Sequence, residues 1–192
     1  MSGEQPKPPP QLQMIWPHGP QTPPPDTTVP EGYVLRNFRL QDAPAYYALM
    51  DGAGFKNWND EGLIRWFPRL LPHGFFVVEH VPTGALVATA MAMRNPKPLH
   101  PDGGELGWVA GDARHAGHGL GRAVCAAVMR CYQEEKIERV YLLTDDWRLP
   151  AIKVYLKLGW LPFLFLPDME ERWRVVCEQL KWPFTPEAWP RA

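Results

Sequence analysis

Residues 116–124 read Ala116-Gly117-His118-Gly119-Leu120-Gly121-Arg122-Ala123-Val124. Three glycines at alternate positions follow an apolar, strand-like run, Glu105-Leu106-Gly107-Trp108-Val109-Ala110, and precede a long helical pattern. A turn of this kind has few side chains to obstruct a ligand and can take positive φ angles. The helix after it adds unpaired N–H groups and the positive end of its dipole. Strand, glycine turn and helix start together form a cradle for a phosphate. Two nucleotide motifs are excluded. No lysine follows the glycines, as a P-loop requires, and the spacing is Gly-x-Gly-x-Gly rather than Gly-x-Gly-x-x-Gly. Taken alone, the cluster reads equally as a tight turn between strand and helix.

The segments around it supply an ordered set of elements. Tyr33–Phe38 alternates as a strand, and Asp42 and Pro44 open a helix over 43–50. A second helical pattern runs from Asp60 to Leu70, with Leu63, Ile64, Trp66, Phe67 and Leu70 on one face. Phe75–His80 and Ala85–Arg94 read as strands joined at Val81-Pro82-Thr83-Gly84. Arg139–Leu143 is a further strand, and Pro150 begins a helix whose apolar face holds Ile152, Tyr155, Leu156 and Leu158. Gly159 stops that helix and a strand begins at Trp160. Asp168–Leu180 is helical, with Met169, Trp173, Val176, Cys177 and Leu180 at helical spacing. In isolation Tyr155 reads as a core aromatic whose hydroxyl finds a partner.

The glycine stretch resembles the pyrophosphate loop of the GCN5-related N-acetyltransferases, Arg/Gln-x-x-Gly-x-Gly/Ala. Aligned on Gly119 and Gly121, Ala116 stands where the family has Arg or Gln; Gly117, Arg122 and Ala123 also match. An alternative alignment uses Arg114, Gly117 and Gly119 and restores the arginine. Residues 144–163 resemble a second hallmark, Asn-x-x-Ala-x-x-x-Tyr-x-x-x-Gly-Phe. Ala151, Tyr155 and Gly159 hold their places, Trp160 stands for Phe, and Arg148 stands for Asn. The likeness runs from about Tyr33 to Leu166.

This resemblance implies an α/β (α+β) fold with a mixed, mostly antiparallel central sheet flanked by helices and splayed at the acetyl-CoA site. It implies acetyl-CoA as co-substrate, with no metal. Backbone groups of Trp108, Val109 and Ala110 would meet the pantetheine arm, and a proline at 109 or 110 would abolish binding. Ala116, Gly117, His118, Gly119, Leu120, Gly121 and Arg122 would meet the pyrophosphate. Tyr155 becomes the general acid for the leaving thiolate, and Glu105 or a water the general base, with Asp145 and Asp146 as second choices. The activity implied is acetyl transfer to a primary amine of a small molecule, less readily a protein, by direct attack. Two other classes stay open. One is a degenerate acyl-CoA-binding sensor or scaffold, in keeping with Ala116 and Arg148. The other is an interaction protein that uses the proline-rich arm.

The chain has 192 residues and a formal net charge of −1, so it can bury a sizeable core and shows no general attraction to nucleic acid or membrane. Three cysteines, with neither a signal-peptide core nor a transmembrane stretch, lead us to expect reduced thiols and a cytoplasmic location. Zinc-ligand spacing is not seen. Residues 1–32, with Pro8-Pro9-Pro10 and Pro23-Pro24-Pro25, read as a proline-rich arm, extended or partly disordered. Within it, the apolar residues of 11–16 suggest packing on the domain or an added edge strand. Residues 33–167 form the acetyltransferase-like domain, and 168–192 a C-terminal helix and tail packed on it. A homodimer is consistent with the family.

Overall fold

The computed structural model describes residues 9–17 and 22–192. Pro8, the first proline of the N-terminal triplet, lies outside the described residues. Among the described residues seven strands form one sheet. They are β1 (Leu12–Trp16), β2 (Tyr33–Asn37), β3 (Leu70–His80), β4 (Ala85–Arg94), β5 (Gly104–Gly111), β6 (Val140–Thr144) and β7 (Leu161–Phe163), in the spatial order β2-β3-β4-β5-β6-β1-β7. Every neighbouring pair is antiparallel except β5 and β6, which run parallel. Helices α1 (Ala43–Gly52) and α2 (Asp60–Ile64) cover one face. Helices α3 (Leu120–Glu134), α4 (Leu149–Lys157) and α5 (Met169–Leu180) lie on the other.

The sheet is buried on both sides near its centre. In β4, Ala88, Ala90 and Ala92 face the larger core, beside Val124, Val128 and Tyr132 of α3. Met91 and Met93 alternate with them and face the smaller core, with Tyr46 and Met50 of α1. The small side chains let α3 approach the sheet while the methionines fill the more irregular space opposite.

Three departures from the sequence reading have physical causes. The arm segment 12–16 is an interior strand and not an edge strand. It pairs with β6 from Leu12↔Thr144 to Trp16↔Val140, and on its other side with β7 through Gln13↔Phe163 and Ile15↔Leu161. Its inward set, Leu12, Met14 and Trp16, is at most 2% exposed. The helix read over 60–70 ends at Ile64. The side chain of Asn59 caps its start, accepting from the Gly62 N–H at 2.8 Å, but Pro68 offers no N–H to continue it. Strand β3 therefore begins at Leu70 and is interrupted near His73, where φ is 54° and the register to β4 shifts. Asp42 precedes α1, yet its carboxylate turns back to the Arg39 N–H (2.7 Å) and Arg36 (2.7 Å) rather than capping α1.

Candidate active site

The parallel pairing of β5 and β6 holds at Gly104↔Val140 and Glu105↔Tyr141 and then stops. Beyond that point β6 keeps company with β1, while β5 follows β4. Along β4 and β5, Met91 faces Gly107 and Thr89 faces Ala110, so Trp108 and Val109 together oppose Ala90. This is a β-bulge, and Trp108 takes the left-handed conformation there with φ 52°. A bulge bends its strand and re-aims a side chain. Here it carries β5 away from β6 and opens a V-shaped gap. The strand edges on either side of that gap are short of ladder partners, which suits an extended ligand that can supply them.

The glycine loop stands at the end of β5. Gly117 has φ 85° and Gly119 φ 74°, and Gly119 is the N-cap of α3. A Cβ built at either would meet no heavy atom within 4 Å, so the space before the loop is free of protein. Among the described residues no acceptor reaches the N–H groups of Gly117, His118 or Gly119. Free amides, open space and the α3 N-terminus fit a pyrophosphate group. Of the neighbouring cations, Arg114 is bound to Asp112 at 2.6 Å and Arg122 to Asp26 of the N-terminal arm at 3.2 Å. Leu120 is turned into the core. Gly121 and Arg122 lie in the first turn of α3. His118 contacts the His115 carbonyl through Nδ1.

Glu105 lies at the closed end of the gap, 9% exposed. Its Oε2 accepts from Asn95 Nδ2 at 2.5 Å and from the Tyr141 hydroxyl at 2.9 Å. Burial, and then the Glu105 charge, push the Tyr141 hydroxyl above its ordinary pKa, so it keeps its proton. His100 stacks on Tyr141 with ring centroids 4.2 Å apart, and its Nε2 lies 2.8 Å from Gln13 Oε1 of β1. Burial lowers the His100 pKa to about 4, with a smaller push from Arg139. Asn95 and Tyr141 were not singled out by the sequence. An aromatic residue inside an apolar strand looks like any core residue, and Asn95 lies in a loop without pattern.

Tyr155 lies on α4 in the larger core, its ring 6.4 Å from that of Trp160. It is 5% exposed, and its hydroxyl makes no hydrogen bond among the described residues. Burial pushes its pKa well up, the neighbouring Cys125 adds to this, and the Arg148 charge pulls part of the way back. Arg148, just before α4, donates from Nε to Asp145 Oδ2 at 3.1 Å. Its guanidinium carbon lies 4.3 Å from the Phe55 ring centroid and 4.4 Å from that of Trp147. Phe55, Trp58 and Trp66 in turn meet Trp108 edge-on, at centroid distances of 5.7, 5.1 and 4.7 Å for Phe55, Trp66 and Trp58 respectively. The bulge at Trp108 thus turns its indole into a wall built by Phe55 and Trp58 between α1 and α2 and by Trp66 just after α2. Asp145 and Asp146, the second choices for a base, are engaged. Asp145 accepts from Gln11 and Arg148, and Asp146 pairs with Arg172.

A model of the acetyltransferase (GNAT) family matches residues 41–160. The chain is 28% identical to a mycothiol acetyltransferase from Frankia casuarinae over 179 residues, covering 84% of this chain and 50% of that one. It spans about half the length of the curated relatives it matches. A GCN5-related N-acetyltransferase from Sphaerobacter thermophilus superposes with a TM-score of 0.61 at 22% identity, covering 80% of this chain and 49% of that chain. A Mycobacterium tuberculosis protein solved in complex with CoA and NLQ superposes with a TM-score of 0.54 at 23% identity, over 80% of this chain and 92% of that one. The splayed sheet, the glycine turn ahead of α3 and a family match across most of the domain have one reading: the chain belongs to the acetyltransferase (GNAT) family.

Proposed function

We propose that the chain transfers the acetyl group of acetyl-CoA to a primary amine of a small molecule by direct attack. The observation that carries this reading is the coincidence of two features at one end of the sheet. The β5–β6 ladder stops after Glu105↔Tyr141, and the unpartnered amides of Gly117–Gly119 stand beyond the end of β5. Acetyl-CoA supplies an activated acyl group as a thioester. The amides of the glycine loop and the first turn of α3 hold its pyrophosphate, and the backbone of 108–110 holds its pantetheine arm as an added strand.

The remaining roles fall to side chains. The new C–N bond forms between the amine nitrogen and the acetyl carbonyl carbon as the C–S bond breaks. Glu105, fixed through Oε2 by Asn95 and Tyr141, takes the amine proton through its other oxygen or a bridging water. Tyr155 holds its proton because burial raises its pKa, and it gives that proton to the leaving sulfur. One proton leaves the amine and one reaches the thiolate, so the exchange balances. The mycothiol acetyltransferase relatives support a small acceptor rather than a protein.

The test is turnover of acetyl-CoA with a panel of primary amines, following free thiol release, in the full chain and in Glu105→Gln. Amine-dependent thiol release that falls at least tenfold in Glu105→Gln, with acetyl-CoA affinity kept, supports the reading. Tight acetyl-CoA binding without turnover of any amine overturns the catalytic part.

A further inference from the structure

The side chain of Arg148 is arranged as an unfilled anion clamp. Its Nε is committed to Asp145, which in turn is held by Gln11 Nε2 at 2.9 Å. Two aromatic rings, Phe55 and Trp147, pack on the guanidinium and fix its plane. Neither Nη donates a hydrogen bond among the described residues, although the side chain is 21% exposed and therefore reachable. A guanidinium held in place by rings and one carboxylate, with its Nη donors unspent, is pre-organised for a second planar anion. Bidentate recognition of a carboxylate needs that geometry.

Its position says which carboxylate. Arg148 precedes α4, the helix that carries Tyr155, and its charge acts on the Tyr155 hydroxyl. Through Phe55 it joins the aromatic wall around Trp108, on the face opposite α3. An anion on Arg148 therefore sits at the start of the helix that carries Tyr155, next to the apolar wall that Trp108 joins to the gap. We infer that Arg148 and the wall of Phe55, Trp58, Trp66 and Trp108 bind the acceptor, and that the acceptor is an α-amino acid with a large apolar side chain. The carboxylate takes the Nη edge of Arg148, the side chain lies on the aromatic wall, and the adjacent α-amine faces the gap. The inference rests on the acetyltransferase reading above and specifies its substrate.

The experiment compares pairs of acceptors that differ by one carboxylate: L-phenylalanine with 2-phenylethylamine, and L-leucine with 3-methylbutylamine. Steady-state kinetics are measured for the full chain and for Arg148→Gln and Arg148→Lys, with the acetyl-CoA thermal shift recorded for each. We expect kcat/KM at least tenfold higher for the amino acids, carried mainly by KM. That preference should collapse in Arg148→Gln and return in part in Arg148→Lys. Equal use of both members of each pair overturns the inference, as does a preference that survives Arg148→Gln or the absence of turnover with the amino acids. In all three cases the acetyl-CoA shift is retained. Loss of the acetyl-CoA shift in the unaltered chain overturns the acetyltransferase reading itself, and the inference falls with it.

Discussion

Glu105 and Tyr141 are the last partners of the β5–β6 ladder, and their side chains also meet, the Tyr141 oxygen lying 2.9 Å from Glu105 Oε2. The point where the two strands part is thus also the point where a buried carboxylate is pinned. The bulge at Trp108 explains why β5 leaves, and the pairing with β1 explains where β6 goes. A gap opens there because the two strands follow different partners.

Tyr155→Phe removes a hydroxyl that no described protein group needs, so the fold should tolerate it. On the proposed role, kcat falls by about two orders of magnitude while acetyl-CoA affinity changes less than about twofold. Rapid-mix thiol release and a binding titration measure the two separately. Unchanged kcat would remove the acid role from this residue.

Met14→Ala tests whether the N-terminal strand is part of the domain. Met14 is fully buried and lies between β6 and β7. Truncating it should cost about 2–5 kcal/mol, read by denaturant unfolding. A cost under about 1 kcal/mol would mean that β1 is a loosely docked arm. The same geometry bears on any role for the arm as a detachable ligand, since removing it strips an interior strand from the sheet.

Local pattern carried much of this architecture, and tertiary pairing decided the rest. The glycine turn, α3, and α4 with Tyr155 were legible because each depends on residues within one turn or one helical face. The place of β1 was not, because alternation in Leu12–Trp16 says that one face is buried but not which strands lie beside it. The end of α2 was missed because Trp66, Phe67 and Leu70 continue a helical pattern that Pro68 interrupts. Glu105 and Tyr155 were indicated through the family resemblance, from their places relative to the glycine loop and the Ala151–Gly159 pattern. Asn95, Tyr141 and the open edge of Arg148 became visible only as distances.

His100 makes stability depend on pH. Its pKa falls from an ordinary 6.5 to about 4 on folding, through burial first and Arg139 second. Below pH 6.5 the unfolded chain binds a proton that the folded chain refuses, so stability drops as pH falls and the loss is complete below about pH 4. The full contribution is at most about 3 kcal/mol. His100→Gln should shrink the stability difference between pH 7 and pH 4 by about 2–3 kcal/mol in urea titrations. An unaltered difference would show that the ring protonates freely in the folded chain.

The central claim is that the gap and the glycine turn hold acetyl-CoA, and a thermal titration of the full chain beside Gly119→Ala tests it most directly. At about a hundred times its dissociation constant, acetyl-CoA should stabilise the unaltered chain by about 2.7 kcal/mol, a rise of several degrees. Gly119→Ala puts a Cβ at φ 74° into the open space before the loop. It should cost about 1 kcal/mol of stability and abolish most of the ligand-induced rise. A melting temperature unmoved by millimolar acetyl-CoA, or a rise that Gly119→Ala leaves intact, would contradict the account.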